Sequence, residues 1–236
     1  MVPEGSNALS PDLAGMIKPR DQRSSARGFT LTELLVVIAI IVLMGALLAP
    51  SIVGVLSGSN LTRAGQVVFA QLSLARQYAL SKNRIVEIRF YRFSSPDAPG
   101  ESAGNPPNGR FRAIQLFEIS DSGAMALGRV QNLPTPIIID SGSALSSLIG
   151  AASAAPSVPT TQNGTALNVP IPQVGLNYDS VCFRVRPDGS TNLPESVLWC
   201  FTLHNLVEGD AISAPPKNYL TVQIDASNGH IKTYRP

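Results

Sequence analysis

From Leu34 to Ser57 the chain reads LLVVIAIIVLMGALLAPSIVGVLS, without one charged residue. About 20 apolar residues suffice for a helix to cross the hydrocarbon core of a bilayer, so this stretch predicts a membrane span that fixes the rest of the architecture around it. A secretory signal peptide has a shorter apolar core ending in small residues of the A-x-A kind; this one runs on into helix-like sequence and is expected to be retained. Lys18, Arg20, Arg23 and Arg27 precede it and the next basic residue is Arg63. Positive charge marks the cytoplasmic side, so the bulk of the chain is expected in the periplasm or outside the cell. Glu33 adjoins the apolar run, where an ionised carboxylate calls for a partner.

The residues around that carboxylate form a longer pattern, RGFTLTELLVVIAIIVLMGALLAP. It resembles the amino-terminal segment of type IV prepilins and type II secretion pseudopilins: a basic residue and glycine (Arg27, Gly28), a phenylalanine (Phe29), a glutamate four residues on (Glu33), the apolar run, and a proline near its end (Pro50). The resemblance implies cleavage between Gly28 and Phe29 by a prepilin peptidase and methylation of the new amino terminus at Phe29. It also implies that Glu33 pairs with that terminus during filament assembly, which sets subunit register. Glycine suits a cut site because the absence of Cβ lets the backbone approach the peptidase closely. Pro50 lacks an N–H and is expected to kink or open the helix. Implied partners are the peptidase, other pilins or pseudopilins, assembly-platform proteins and the inner membrane. Met16 is an alternative initiation site within the leader.

The division that follows is a cytoplasmic leader over 1–28, an assembly helix over 29–57 and a periplasmic domain over 58–236. Leu61, Ala64, Val68, Leu72, Ala75 and Ala79 recur at three- and four-residue steps, so the helix is expected to continue to about residue 82 with one apolar face. Beyond it the period becomes two. Arg84–Phe93 alternates Ile85, Glu87, Arg89 and Tyr91 against Val86, Ile88 and Phe90, and Phe111–Ser120 is similarly β-prone, with a turn-rich hairpin loop between. Further strands are predicted at Met125–Gln131, Ile137–Asp140, Val181–Arg186, Val197–Leu203, Tyr219–Asp225 and Ile231–Tyr234. Residues 141–179, rich in Ser, Ala, Pro and Gly, read as a flexible insertion with little core of its own. The fold class expected is α+β, a pilin-like long helix packed on an antiparallel sheet. FRVRPDGS and YLTVQIDASNGHIKTYRP are similar to the carboxy-terminal hairpins of GspH/FimT-type minor pseudopilins.

Composition excludes several alternatives. The formal charge of +2 is split evenly between leader and remainder, which disfavours a nucleic-acid binder. Arg184 with Arg186, or Lys232 with Arg235, would be the only basic strip to offer DNA. Cys182 and Cys200 are the two cysteines. Pairing Val185 with Val197 across Pro187-Asp188-Gly189 would set them opposite each other, and an oxidising periplasm would then favour a disulfide over two buried thiols. His204 and His230 stand far apart and outside any H-E-x-x-H pattern. No P-loop, G-x-S-x-G elbow or G-x-G-x-x-G turn occurs, so no catalytic residue, metal or cofactor is assigned. Asp188 reads as a turn residue. Asn163-Gly164-Thr165 fits the short glycosylation pattern. A structural filament subunit is thus the leading expectation, ahead of a filament-borne binding module for a ligand or DNA and of a signal-anchored periplasmic protein of another kind.

Overall fold

A computed structural model describes residues 28–95, 98, 101, 109–152 and 158–236, with backbone only over 46–57. The basic leader residues therefore lie outside the described residues. The chain divides into two compact units, Met1–Leu47 and Leu48–Pro236.

Helix α1 (Leu31–Lys82) contributes to both. In the first unit its apolar residues from Leu34 to Met44 are exposed, several by more than half. Among the described residues no helix is long and apolar enough to cross a membrane. The expected span runs on through residues 46–57, whose side chains are outside the described residues. Pro50 lies within α1, and its expected kink falls in that same stretch.

The second unit is built on an antiparallel sheet. Its strands are β1 (Ile85–Phe93), β2 (Arg110–Ser120), β3 (Gly123–Ala126), β4 (Gln131–Asn132), β5 (Ile137–Ile139), β6 (Thr160–Asn163), β7 (Asp179–Val185), β8 (Trp199–Asn205), β9 (Leu220–Ile224) and β10 (Ile231–Tyr234). Two short helices, α2 (Ser147–Gly150) and α3 (Gly164–Leu167), lie between β5 and β7. The spatial order is β10-β9-β8-β5-β2-β1-β7-β6, with β3 and β4 also paired to β2. Apolar periodicity locates most of these strands; β6 falls in the stretch expected to be an insertion, and one predicted strand, Met125–Gln131, is instead two fragments separated by a bend.

One face of the sheet receives α1. Leu61, Ala64, Val68, Leu72, Ala75 and Ala79 are all buried in one cluster with Val86, Ile88, Phe90, Ile114, Leu116 and Phe201. Small residues on this stripe bring helix and sheet together: a Cβ at Gly65 would fall 2.6 Å from Leu220 Cδ1. The carboxyl-terminal hairpin is tied to the same helix, with Arg235 Nη1 donating to Thr62 Oγ1 at 2.7 Å and Arg76 Nε to the Asn228 carbonyl at 2.9 Å.

Described residues of the 141–179 stretch, expected to have little core of its own, pack against both clusters of the sheet domain. Leu148 and Ile149 of α2 join the main cluster. Ile171 and Tyr178 pack on Tyr91, Phe93, Ala113 and Phe117 in a second one. Tyr178 meets Tyr91 edge-to-face at 5.1 Å and donates its hydroxyl to the Val169 carbonyl at 2.7 Å. Gly164 permits this cover, because a Cβ there would fall 2.2 Å from the Leu176 oxygen. Asn163 accepts from Ala166 N at 2.8 Å and caps α3, so the glycosylation-like triplet is used as a helix start.

The cysteine expectation is also corrected. Cys182 and Cys200 are free thiols. Cys182 stands opposite Arg89 on β1 and Thr160 on β6, and Cys200 opposite Gln223 on β9. Strands β7 and β8 follow each other in sequence but are four steps apart in the sheet. At about 4.8 Å per step that is roughly 19 Å along the sheet, against a Cα separation below about 7 Å for a disulfide. Pro187-Asp188-Gly189 does turn the chain, with Gly189 at φ 86°, but it returns Thr191 to Val185 and does not lead directly into β8.

Candidate functional site

The segment singled out by sequence begins with Gly28 and Phe29, which are non-helical, and Phe29 is 81% exposed. The helix begins at Leu31 because Thr30 and Glu33 cap it reciprocally. Glu33 N donates to Thr30 Oγ1 at 3.2 Å, while Glu33 Oε2 accepts from Thr30 N and Thr30 Oγ1, each at 2.9 Å. This is the capping-box arrangement, satisfying amide donors that a helix start leaves without partners. T-x-x-E before an apolar run is the sequence signature of this cap, and Thr30 is the residue the sequence expectation above leaves out. The carboxylate of Glu33 is thereby held at the amide of the residue following Phe29. Phe29 and Glu33 lie against one another at the helix start, with Gly28 immediately before them in the chain.

A second place of chemical interest lies on the sheet face away from α1. Glu87 and Arg89, which alternation alone would place towards solvent, are buried. Glu87 Oε1 accepts from Arg89 Nε at 2.7 Å and its Oε2 from Arg184 Nε at 2.9 Å. The Arg89 guanidinium lies 3.8 Å from the centroid of Phe117. Tyr91 donates to Gln115 Oε1 at 3.1 Å, and burial pushes the acidity of its phenol well below ordinary. Burial likewise pushes the Cys182 thiol up to about 12. Of the residues nominated for a basic strip, Arg184 is thus paired with Glu87 and Arg235 is bonded to α1.

Beside this network is a cavity of about 860 Å³, walled by the end of β1, by β2, by 128–138 and by 169–177. Arg112 reaches it from a bulge in β2: Tyr91 pairs with Ala113 and Arg92 with Phe111, leaving Arg112 without an opposite residue. Arg112 is ion-paired with Glu101. No sequence signal pointed to this cavity, because it is formed by several separate segments spread from Phe93 to Leu206.

His204 and Asp140 are both fully buried, with Nε2 and Oδ2 3.2 Å apart. The other ring nitrogen, Nδ1, lies 3.0 Å from the Asn205 carbonyl. Gly142 N and Ile212 N also donate to the Asp140 carboxylate, so the pair ties two loops together. Among the described residues no group of three or more His, Cys, Asp or Glu is placed to hold a metal ion. Asp188 accepts from Ser190 N and Oγ, completing the turn read from sequence.

An exposed glycine–phenylalanine pair thus stands immediately ahead of a capped helix, in a chain that also carries an antiparallel sheet domain. Residues 23–49 match the family model described as the prokaryotic N-terminal methylation motif, so the chain carries a prepilin-type amino-terminal segment. No curated protein matches the sequence. Among solved structures, the chain is similar to the type IV minor pilin FimU of Pseudomonas aeruginosa (strain PAO1). That similarity has 11% identity and a TM-score of 0.39 over 75% of this chain and 93% of that one.

Proposed function

We propose that the chain is a minor pilin or pseudopilin: a structural, non-enzymatic subunit of a periplasmic or surface filament serving type II secretion or a type IV pilus. In this reading a prepilin peptidase cuts between Gly28 and Phe29, and Phe29 is methylated. Residues 29–57 hold the subunit in the inner membrane, with the leader cytoplasmic and residues 58–236 periplasmic, until other subunits and the assembly platform draw it into the filament. The observation that carries the reading is the methylation motif over 23–49, with Gly28 and Phe29 exposed immediately before the capped helix.

Cleavage would free an ammonium at Phe29, one residue from the amide that Glu33 now accepts. Opposite charges in a low-dielectric surrounding attract strongly, but desolvation offsets much of the gain, so the pair acts chiefly on insertion depth and register. Amino-terminal sequencing and intact mass of the membrane-extracted protein test the proposal. A chain beginning at methylated Phe29 is the expected result, and Gly28→Leu should abolish processing; a wild-type chain that retains its leader beside an active peptidase overturns it. Glu33→Ala is expected to leave cleavage intact and to lower incorporation into filaments.

The cavity favours a second reading, a filament-borne binding module. It is compatible with the first, since a subunit can both build a filament and present a ligand site.

A further inference from the structure

We propose that the open edge formed by β3 and β4, together with the adjoining cavity, is a docking site for an extended peptide segment bearing an acidic side chain. This inference is independent of how the amino terminus is processed.

An unpaired strand edge offers a row of N–H and C=O groups to any extended chain, and proteins ordinarily blunt such edges with charge or proline. Three edges of this sheet are open among the described residues. The β10 edge carries Lys232 and is followed by Arg235 and Pro236, and β6 is preceded by Pro159 and followed at once by α3. In contrast, β3 is Gly-Ala-Met-Ala, all four residues are exposed, and its one strand partner is β2. Leu127 N bonds to the Leu116 carbonyl, so Met125 and Glu118, two residues back on each strand, form the next hydrogen-bonded pair. Ala124 and Ala126, between these pairs, therefore direct their amides to the open side.

The cavity lies along the continuation of the same edge. Gly128, Arg129, Val130 and Asn132 form its wall, with β4 itself contributing Asn132. A strand laid on the edge would send alternate side chains towards this space, the geometry by which added strands gain affinity from main-chain bonds and specificity from pockets. Val130, Leu133, Ile171 and Val174 suit an aliphatic side chain there. Of the charged residues lining it, Arg112 is ion-paired with Glu101 and Arg129 is exposed, an excess of one positive charge that selects an acidic partner. Arg112 is brought to that position by the bulge and is nine-tenths buried.

The test uses the full chain in detergent micelles and a fluorescein-labelled, end-capped hexapeptide of alternating valine and threonine with a central aspartate, followed by fluorescence anisotropy. Saturable binding is expected. Affinity should fall at least about tenfold when aspartate is replaced by lysine, when alternate peptide amides are N-methylated, and in the Ala126→Pro and Arg112→Gln proteins. If Arg112→Gln lowers the melting temperature followed by Trp199 fluorescence, the exposed Arg129→Gln carries the charge test. If Ala126→Pro does so, the N-methylated peptide on the wild-type protein carries the edge test. No saturation by about 1 mM peptide, equal binding of aspartate and lysine peptides, or indifference to N-methylation would each overturn the proposal.

Discussion

Changing Glu87 to alanine removes the carboxylate that lies between two arginines on the inner surface covered by residues 164–178. The Glu87 side chain is 5% exposed and its partner Arg89 4%, whereas Arg184 is 46% exposed. Deleting one member of a buried ion pair strands the other charge and costs about 3–5 kcal/mol. The half-exposed Arg184 interaction adds no more than about 1 kcal/mol. Against a total stability of about 5–15 kcal/mol this is a large loss. With about 2–4 °C per kcal/mol for a domain of this size, the melting temperature should fall by roughly 6–24 °C. Trp199, the single tryptophan and 3% exposed, reports unfolding in detergent by its fluorescence. Replacing both charges, as Glu87→Leu with Arg89→Met, should recover most of the loss, because hydrophobic replacements of a buried pair are often neutral or better. A methionine would also keep part of the contact with Phe117. The reasoning is refuted if Glu87→Ala melts within about 2 °C of wild type, or if the double variant melts as low as the single one.

Three other perturbations follow from the same geometry. Cys182, buried and pushed up to about 12, should resist iodoacetamide at pH 8 in the folded protein and react after denaturation, and equal labelling in both states would contradict its placement. Asp188 and Asp225 are each held below the usual aspartate range, first by a serine hydroxyl and then by a backbone amide. Their lowered folded values mean that their stabilisation is complete above the ordinary range near pH 4 and is lost as pH falls through the lowered values. The melting temperature of Asp188→Asn/Asp225→Asn should therefore fall less steeply than wild type below pH 4, and parallel curves would count against these turns. Gly164→Ala places a methyl against the Leu176 carbonyl, so the cover over Tyr91 should open. Hydrogen exchange at 164–178 should rise while α1 amides beyond residue 58 stay protected; unchanged exchange would refute it.

Sequence periodicity located α1 and most of the strands because each has one face that must be apolar. Its limit is visible at β1. Alternation separates Val86, Ile88 and Phe90 from Glu87, Arg89 and Tyr91, but cannot say that the second set is also covered. That depends on a return of the chain through Ile171 and Tyr178, in a stretch whose composition suggests exposure. The cysteine pairing failed for a related reason: turn residues between β7 and β8 imply a hairpin, whereas β7 crosses to the far side of β1. At the amino terminus the charge pattern and apolar run were legible. The cap formed by Thr30 is equally legible in T-x-x-E ahead of the apolar run.

The bond from Arg235 to Thr62 brings the carboxyl terminus to the first turns of α1 within the domain. A fluorescent reporter or cysteine label attached after Pro236 would consequently be tethered beside residues 58–62, a whole domain helix away from Lys82. Such a tag would crowd whatever neighbour lies against these first turns, where Asn60 donates to the Thr135 carbonyl in the cavity wall.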